Sequence, residues 1–358
     1  MASLAADILG DPVQLTRALV DIESVSGNEQ EITDAVEAAL GGATHLRVER
    51  VGNVVCARTS LGRPARVILA GHLDTVPVHG NLPSTVDGDL MYGCGTSDMK
   101  GGSALALHLA LTVVEPAFDV TYLFYDCEEV EAERNGLNKA AASHPQWLEA
   151  DFAVLLEPTY GRVEAGCQGT MRATVRLEGK RAHSARSWLG VNAIHAAGGV
   201  LARLANYPAR RVVIDGCEYR EGLNAVFIRG GVAGNVIPDR CEIDVNFRFA
   251  PDRSEADAKA YLMEVFDGYD VETLDSAPGA LPGLAAAPAR AFLAAVGTEP
   301  VGKLGWTDVA RFAALGVPAL NYGPGDPNLA HTTDERVEIS KIREGAEVLR
   351  RWLSPPTP

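Results

Sequence analysis

The chain has 358 residues, enough for two or three domains, and its composition of 47% hydrophobic and 22% charged residues is typical of a folded globular protein. A formal net charge of -15 argues against nucleic acid and anionic membrane surfaces as partners, because both bind Lys and Arg. We therefore expect a small-molecule partner.

The start of the chain indicates where the protein resides. Residues 1–7 contain neither the positively charged region nor the long apolar stretch of a secretory signal, and no later stretch resembles a membrane span. The six cysteines are scattered without a C-x-x-C pair, which indicates free, mostly buried thiols in a reducing compartment. The sequence predicts a cytoplasmic protein.

The first predicted elements are two helices, one beginning after Asp11 with Pro12 at its first position, and one from Asn28 to Gly41. Short apolar or β-branched runs at 51–57, 66–70, 120–125 and 152–156 are then typical of strands, and helical patterns separate the last three. This alternation predicts an α/β fold, a sheet with helices on its faces.

The pattern changes near residue 166. Strand-like and helical segments then follow in the order β-α-β-β-α-β, which is the ferredoxin-like arrangement. Residues 275–287 are rich in Pro, Gly and Ala and indicate a return crossing, after which helical segments complete the first domain. We predict one domain from residues 1–166 and 279–358, with residues 167–278 inserted as a second domain.

The first candidate site residues follow the predicted strand at 66–70. His72 and Asp74 then lie at the carboxyl end of a strand, where an α/β sheet places ligands. Asp74 is close enough in sequence to orient the His72 imidazole. It would do so by accepting a hydrogen bond from the ring nitrogen that does not bind a metal ion. A hydrogen-bonded loop histidine is the structural alternative.

A glycine-rich loop, residues 93–102, contains Asp98 and leads into an apolar helix. A phosphate-binding loop is the rival interpretation, but neither the P-loop spacing nor the dinucleotide-binding fingerprint is present. The glycines are therefore better interpreted as positions that let the backbone approach closely.

Adjacent acids follow the next predicted strand. If that chain stays extended, Glu128 and Glu129 point to opposite sides, so one could bind a metal ion while the other acts as general base. A solvated acidic turn is the alternative. Glu157 ends a further strand, and His331 lies in a late loop between apolar segments.

Together and in this order, the motifs resemble those of the di-zinc aminoacylase and carboxypeptidase superfamily. They comprise residues 71–77, 93–102, 125–129, 155–158, 179–183, 190–193 and 323–331. Within the superfamily they are most similar to the actinobacterial succinyl-diaminopimelate desuccinylases, with N-acetylornithine deacetylases as near neighbours. The resemblance implies a zinc-peptidase-like catalytic domain with a mixed sheet, and an inserted lid or dimerisation domain.

The resemblance also implies a ligand set for two Zn²⁺ ions per subunit, for which Co²⁺ can substitute. One ion is expected between His72, Asp98 and Glu157, and the other between His331, Glu129 and the same Asp98. Asp98 is thus expected to bridge the two ions.

Further roles follow from the same resemblance. Glu128 is expected to be the general base of an amide hydrolysis, and Asp74 to tune His72. His183 is expected to stabilise the oxyanion from the other subunit of a homodimer, although by itself it could be a surface histidine in a basic turn.

The resemblance implies that Asn235 and Arg248 bind a substrate carboxylate. Gly325 is expected to contribute backbone donors to substrate near His331. An outward, solvated side chain is the alternative for Arg248, which alternates with two phenylalanines. Cys94 departs from the pattern, because many relatives carry arginine there.

The resemblance implies hydrolysis of N-succinyl-LL-diaminopimelate to succinate and LL-diaminopimelate. The nearest competing function is an N-acetylornithine deacetylase or a dipeptidase of the same superfamily. A non-catalytic metal-binding scaffold is a competitor from another class. The presence of Glu128, which has no ligand role, argues against the scaffold.

Overall fold

The computed structural model of the chain describes residues 4–354. Residues 1–3, at the start of the segment in which a secretory signal was sought, and residues 355–358, at the end of the predicted first domain, lie outside the described residues.

The described residues form α-helices and β-strands. The α-helices are α1 (Pro12–Val20), α2 (Gln30–Gly41), α3 (Lys100–Thr112), α4 (Gly136–Ser143), α5 (Ala193–Ala205), α6 (Glu255–Val265), α7 (Ala287–Val296), α8 (Val309–Ala314) and α9 (Ile339–Leu353). The strands are β1 (Arg47–Val51), β2 (Val54–Arg58), β3 (Arg66–His72), β4 (Thr85–Asp87), β5 (Leu90–Tyr92), β6 (Asp119–Tyr125), β7 (Phe152–Leu155), β8 (Glu164–Ala165), β9 (Gly169–Glu178), β10 (Ala182–His183), β11 (Arg211–Ile214), β12 (Cys217–Arg220), β13 (Gly222–Gly230), β14 (Val236–Ile237), β15 (Arg240–Phe249), β16 (Asp270–Ala277), β17 (Val301–Gly302), β18 (Ala319–Asn321) and β19 (Arg336–Glu338).

The chain divides into two compact units. The first contains the chain up to Ala165, Pro282–Val301 and the chain from Arg311, and the second contains Gly166–Leu281 and Gly302–Ala310. The sequence places residues 302–310 in the first domain, whereas in the structure they pack with the second unit. The first unit is thus built from three separate stretches of the chain.

The sheet of the first unit positions the candidate site. Its strand order is β1-β2-β6-β3-β7-β18-β8-β17, and β6, β3, β7 and β18 run parallel at its centre. Every residue of β6 and β7 is buried, as expected for parallel strands covered on both faces. The predicted α/β fold with a mixed sheet is therefore confirmed.

Helices cover this sheet, and α1 begins where the sequence predicts. The side chain of Asp11 accepts hydrogen bonds from the backbone N–H groups of Val13 and Gln14 at the start of α1. Helix α3 is apolar on all sides, and nearly all of its residues are buried, so it lies inside the core. The glycine-rich loop therefore leads directly into the core.

One predicted strand is wrong. The sequence predicts a single strand at 51–57, but β1 and β2 form an antiparallel hairpin whose turn contains Gly52 and Asn53. Gly52 has a φ of 57°, a conformation that favours glycine and reverses the chain. Strand β1 is largely polar, and the Gly52-Asn53 pair, which is typical of a two-residue hairpin turn, is the signal that the prediction missed.

The second unit contains a four-stranded antiparallel sheet in the order β13-β15-β9-β16. With α5 and α6 its elements follow the order β-α-β-β-α-β, and its core includes Val175, Ile243 and Leu262. Strand β13 forms one edge of the sheet. The role of this unit as a lid or dimerisation domain stays a prediction.

Across residues 4–354, no helix combines the length and apolar character needed to cross a membrane. All six cysteines are buried free thiols, as the sequence predicts.

Candidate metal centre

The candidate site lies at the carboxyl ends of adjacent parallel strands. His72 is the last residue of β3, Glu128 and Glu129 follow β6, and Glu157 follows β7. Because β3 lies between β6 and β7, these side chains start from one edge of the sheet.

Asp98 contacts both imidazoles of the site with different oxygen atoms. Its Oδ1 lies 3.2 Å from His72 Nε2, and its Oδ2 lies 3.5 Å from His331 Nε2. His331 Nε2 is also 2.9 Å from Oε1 of Glu129. A carboxylate shared in this way has the arrangement expected of a bridging ligand.

The five predicted ligands form two overlapping groups. In one, ligand atoms of His72, Asp98 and Glu157 lie within 4.8 Å of one another, and in the other those of Asp98, Glu129 and His331 do so. Imidazole nitrogen and carboxylate oxygen are ligands that Zn²⁺ prefers. The donor atoms of both groups therefore fit a pair of divalent cations.

Glu128 also lies close to this site. A third group with ligand atoms within 4.8 Å contains His72, Glu128 and Glu129. The sequence predicts that the two glutamates point to opposite sides, which is wrong, because they lie in a bend after Cys127, whose φ is 55°, and both carboxylates reach the surroundings of His72. Glu129 differs from Glu128 by its contact with His331.

The charges of the site favour a cation at its centre. Burial lowers the pKa of His72, but Asp74 and Asp98 outweigh it and raise that pKa well above its ordinary value. Hydrogen bonds to Asp98 and Glu129 raise the pKa of His331 to about 10. Acidic side chains thus surround both imidazoles, a distribution of charge that favours a bound divalent cation.

Asp74 contacts His72 mainly through its backbone carbonyl. The His72 Nδ1 atom lies 3.0 Å from the backbone carbonyl oxygen of Asp74 and 3.5 Å from its carboxylate. The carboxylate instead accepts hydrogen bonds from the backbone N–H groups of Glu128 at 3.0 Å and Glu129 at 3.1 Å, and from the Ser26 hydroxyl at 2.7 Å. Asp74 therefore orients the two glutamates, a role that sequence reasoning missed.

Asp74 is held in its ionised form. Burial raises its pKa, but contact with His72 and the donors from Glu128 and Ser26 lower the pKa of Asp74 to about 2. A permanent carboxylate can accept all of these hydrogen bonds at neutral pH.

Two glycines allow close packing around Asp98. A Cβ atom at Gly102 would lie 2.0 Å from the carbonyl oxygen of Leu156, and one at Gly325 would lie 2.5 Å from that of Ser97. The Gly325 carbonyl accepts a hydrogen bond from the Tyr160 N–H at 2.7 Å. The substrate-binding role of Gly325 stays a prediction.

Sequence reasoning also missed Glu335, which is only 2% exposed. Its carboxylate accepts hydrogen bonds from backbone N–H groups of the loop that carries Asp98. Burial raises the pKa of Glu335 to about 7 in spite of these donors. The polar neighbours of Glu335 in the sequence resemble an ordinary solvated turn, so the sequence carries no signal of its burial.

The remaining predicted residues lie in the second unit. His183 is exposed, its Nδ1 accepts a hydrogen bond from the Ala185 N–H at 3.1 Å, and the next residue donates to the carbonyl of Asn235 at 2.9 Å. The structure therefore brings His183 and Asn235 together. Arg248 is partly buried, which lowers its pKa, and its Nε donates to Asn246 at 3.1 Å.

A separate buried group contains Glu29, Asp126 and Cys127. The Cys127 thiol donates to Glu29 Oε1 at 3.3 Å, and Lys139 Nζ donates to Asp126 Oδ2 at 3.2 Å. These contacts use one oxygen of each carboxylate, whereas Glu29 Oε2 and Asp126 Oδ1 are buried without a hydrogen-bond partner.

Comparison with known proteins finds a peptidase family whose model matches most of the chain. The model of Peptidase family M20/M25/M40 matches residues 68–354. A protein of Mycobacterium tuberculosis with the provisional name succinyl-diaminopimelate desuccinylase is 58% identical over 97% of this chain and 99% of its own. The succinyl-diaminopimelate desuccinylase of Corynebacterium glutamicum is 49% identical over 97% of each chain.

Solved structures share the fold at low sequence identity. A tripeptidase from Staphylococcus aureus has a TM-score of 0.79 at 22% identity and covers 96% of this chain and 97% of its own. A dinuclear metal-binding peptidase of the M20 family from Bacillus subtilis has a TM-score of 0.70 at 16% identity and covers 98% of each chain.

Proposed function

The chain belongs to peptidase family M20/M25/M40, and we propose that it hydrolyses N-succinyl-LL-2,6-diaminopimelate to succinate and LL-2,6-diaminopimelate, a step toward lysine. The observation that carries this proposal is the 58% identity to the Mycobacterium tuberculosis relative over 97% of the chain. The grouping of all five predicted ligand side chains at one edge of the sheet supports a hydrolytic metal centre.

We propose that this centre binds two Zn²⁺ ions, which Co²⁺ can replace. His72 and Glu157 would hold one ion, Glu129 and His331 the other, and Asp98 both. Such a pair lowers the pKa of water and polarises the substrate carbonyl. The two Zn²⁺ ions carry a charge of +4, and the three ligand carboxylates offset most of it. This balance lowers the free-energy cost of burying the ions and the carboxylates together.

The remaining chemistry belongs to the protein. In this proposal Glu128 takes a proton from the attacking water and delivers it to the nitrogen of the leaving amine, so that one water molecule is consumed for each amide bond broken. Asp74 fixes the backbone of Glu128 through a 3.0 Å hydrogen bond and so holds this base in place. His183 is proposed to donate a hydrogen bond to the oxyanion.

The acyl group distinguishes this function from its closest competitor. The succinyl group ends in a carboxylate that an acetyl group lacks, and a hydrogen bond to a charged group contributes about 1.5 to 3 kcal/mol. We therefore expect kcat/KM for N-succinyl-LL-diaminopimelate to exceed that for N-acetylornithine by at least about 10-fold. Steady-state kinetics of the zinc-loaded protein on both substrates and on a dipeptide provide the measurement.

The chelator-treated protein is the control, because a contaminating metal-independent hydrolase would survive the treatment. A preference for N-acetylornithine or for the dipeptide would favour a deacetylase or dipeptidase. Absence of turnover on all three substrates, with metal bound, would favour the non-catalytic scaffold.

We also propose that the protein is a homodimer, because two predicted site residues lie far apart within the second unit. Arg248 pairs with Gly222 near one end of β15, whereas His183 pairs with Val236, beyond the other end of that strand. Arg240 and Arg248 alone are eight residues apart, about 26 Å at the rise of a strand. One copy of this unit cannot bring both side chains to one small substrate.

The surface of the second unit supports the same proposal. Edge strand β13 exposes Val226, Phe227 and Ile228 by 48%, 63% and 52%, and α5 exposes Ile194 and Leu201 by 40% and 41%. An apolar edge strand with unpaired backbone groups is a site for pairing with another chain. We propose that a second copy covers this edge and contributes its His183.

Charges on this edge are expected to separate the two copies. The double variant Val226→Lys, Ile228→Lys should sediment at the chain mass of 37.9 kDa, whereas the wild type should sediment at twice that mass. Turnover should fall with the dimer, because the partner's imidazole is lost. Sedimentation velocity and a parallel rate assay provide the two measurements.

Val213→Lys is the matched control, because Val213 is 66% exposed on the separate hairpin formed by β11 and β12 of the same unit. A double variant that stays dimeric, or a wild type that is monomeric, would contradict the proposed interface.

The cytoplasmic location stays a proposal, supported by the six buried free thiols.

A further inference from the structure

Glu335 is a buried carboxylate that the proposed mechanism does not use. Its Oε2 accepts a hydrogen bond from the Gly95 N–H at 3.0 Å, and its Oε1 accepts from the N–H groups of Ser97 at 2.9 Å and Asp98 at 3.0 Å. Three successive parts of the glycine-rich loop are thus held by one side chain. The last of them is the backbone of the proposed shared ligand.

The backbone around Glu335 strengthens this connection. The carbonyl of Glu335 accepts from the Gly93 N–H at 3.0 Å, and the next carbonyl, of Arg336, accepts from the Ser97 hydroxyl at 2.8 Å. Arg336 also pairs with Tyr92 in the ladder between β19 and β5. The segment that follows His331 therefore runs beside the segment that precedes Asp98.

Only a carboxylate satisfies these donors. Three N–H groups face two oxygen atoms, and hydrogen bonds to an ionised acceptor are about twice as strong as neutral ones. A glutamine of the same shape would turn an NH₂ group toward at least one N–H donor, which leaves a buried donor without an acceptor. The site is therefore specific for Glu rather than for a side chain of its size.

The hydrogen bonds from the loop to Glu335 matter because of the position of Asp98. Its two oxygen atoms must face His72 and His331 at the same time, at 3.2 and 3.5 Å. His331 lies only four residues before Glu335 on the same loop. The Glu335 side chain thus fixes the distance between two loops. One carries Asp98, the proposed ligand of both ions, and the other carries His331, the proposed ligand of one ion.

We propose that Glu335 is a positioning residue that holds Asp98 in register with His331 and so sets the affinity of the metal pair. This inference rests on the proposed ligand role of Asp98. Replacing a residue that hydrogen-bonds to a metal ligand, without itself binding the metal, typically changes metal affinity by about 10- to 100-fold.

Glu335→Gln and a matched control test the inference. The control is Asp119→Asn, since Asp119 is 6% exposed and accepts from the backbone N–H groups of Leu61 at 2.7 Å and Arg63 at 3.0 Å. Asp119 begins β6, at the end of the strand away from Glu128. It is thus a comparable buried backbone acceptor outside the metal centre.

Metal affinity is measured at pH 8 by competition with a chromogenic chelator, and the Co²⁺-loaded proteins are compared by their visible absorption spectra. We expect Glu335→Gln to weaken binding of at least one ion by about 10- to 100-fold and to change the Co²⁺ spectrum. Asp119→Asn should keep both affinities and the spectrum. Excess metal should restore part of the turnover of Glu335→Gln.

The possible outcomes separate this inference from the proposed function. A wild type that binds no pair of ions would overturn the metal centre and the inference with it. A wild type that binds two ions, with Glu335→Gln unchanged or affected no more than Asp119→Asn, would overturn the inference alone. If Glu335→Gln does not fold, Glu335→Asp, which keeps the charge and is shorter by one methylene group, provides the same comparison.

Discussion

Replacing Glu128 with Gln is expected to lower kcat by about 10²- to 10⁴-fold while both metal ions stay bound. Glutamine keeps the shape of the side chain and one oxygen acceptor, but it cannot take a proton from water. The backbone of residue 128 would remain fixed by Asp74, because that hydrogen bond uses the N–H group. The effect should therefore appear in the rate and not in the metal content.

The comparison with Glu129 decides between the two neighbouring acids. Both lie within 4.8 Å of His72, but Glu129 contacts His331 at 2.9 Å. Glu129→Gln should therefore weaken the binding of one ion, and Glu128→Gln should not. Metal content after dialysis and single-turnover rates for the two variants give the required pair of measurements.

Glu131→Gln is the control for a general change of charge, because the Glu131 side chain is 74% exposed in the same acidic segment. It should retain the wild-type rate. Loss of an ion from Glu128→Gln would make Glu128 a ligand, and a wild-type rate in that variant would remove its role as general base.

The sequence could predict the parts of this site that depend on strand ends. The apolar runs at 66–70, 120–125 and 152–156 correspond to β3, β6 and β7, and parallel strands bring their carboxyl ends to one edge. The side chains of His72, Glu129 and Glu157 meet there for that reason.

Contacts between distant loops could not be predicted in this way. Glu335 lies 237 residues after Asp98 in the sequence, and its contact with the Asp98 N–H depends on how β19 pairs with β5. The contact of the Asp74 carboxylate with the backbone of residues 128 and 129 depends likewise on a bend with a positive φ at Cys127. Local sequence patterns carry no information about such pairings.

The sharing of Asp98 gives the second large prediction. Because its two oxygen atoms contact different imidazoles, Asp98→Asn should weaken the binding of both ions, whereas Glu157→Gln should weaken the binding of one. Removing a residue that binds the metal should weaken binding more than removing a residue that only orients a ligand. We therefore expect metal binding that is weaker by more than about 100-fold. Turnover of Asp98→Asn should fall close to that of the chelator-treated protein.

The measurement is the number and affinity of bound ions in each variant, read by chelator competition and by metal analysis after gel filtration. Thermal unfolding provides an independent readout, because a ligand that binds only the folded state raises its stability. Added Zn²⁺ should raise the Tm of the wild type strongly, that of Glu157→Gln less, and that of Asp98→Asn least. If Asp98→Asn lost only one ion and Glu157→Gln lost the other, Asp98 would belong to a single metal ion, and the two groups of ligands would not share a carboxylate.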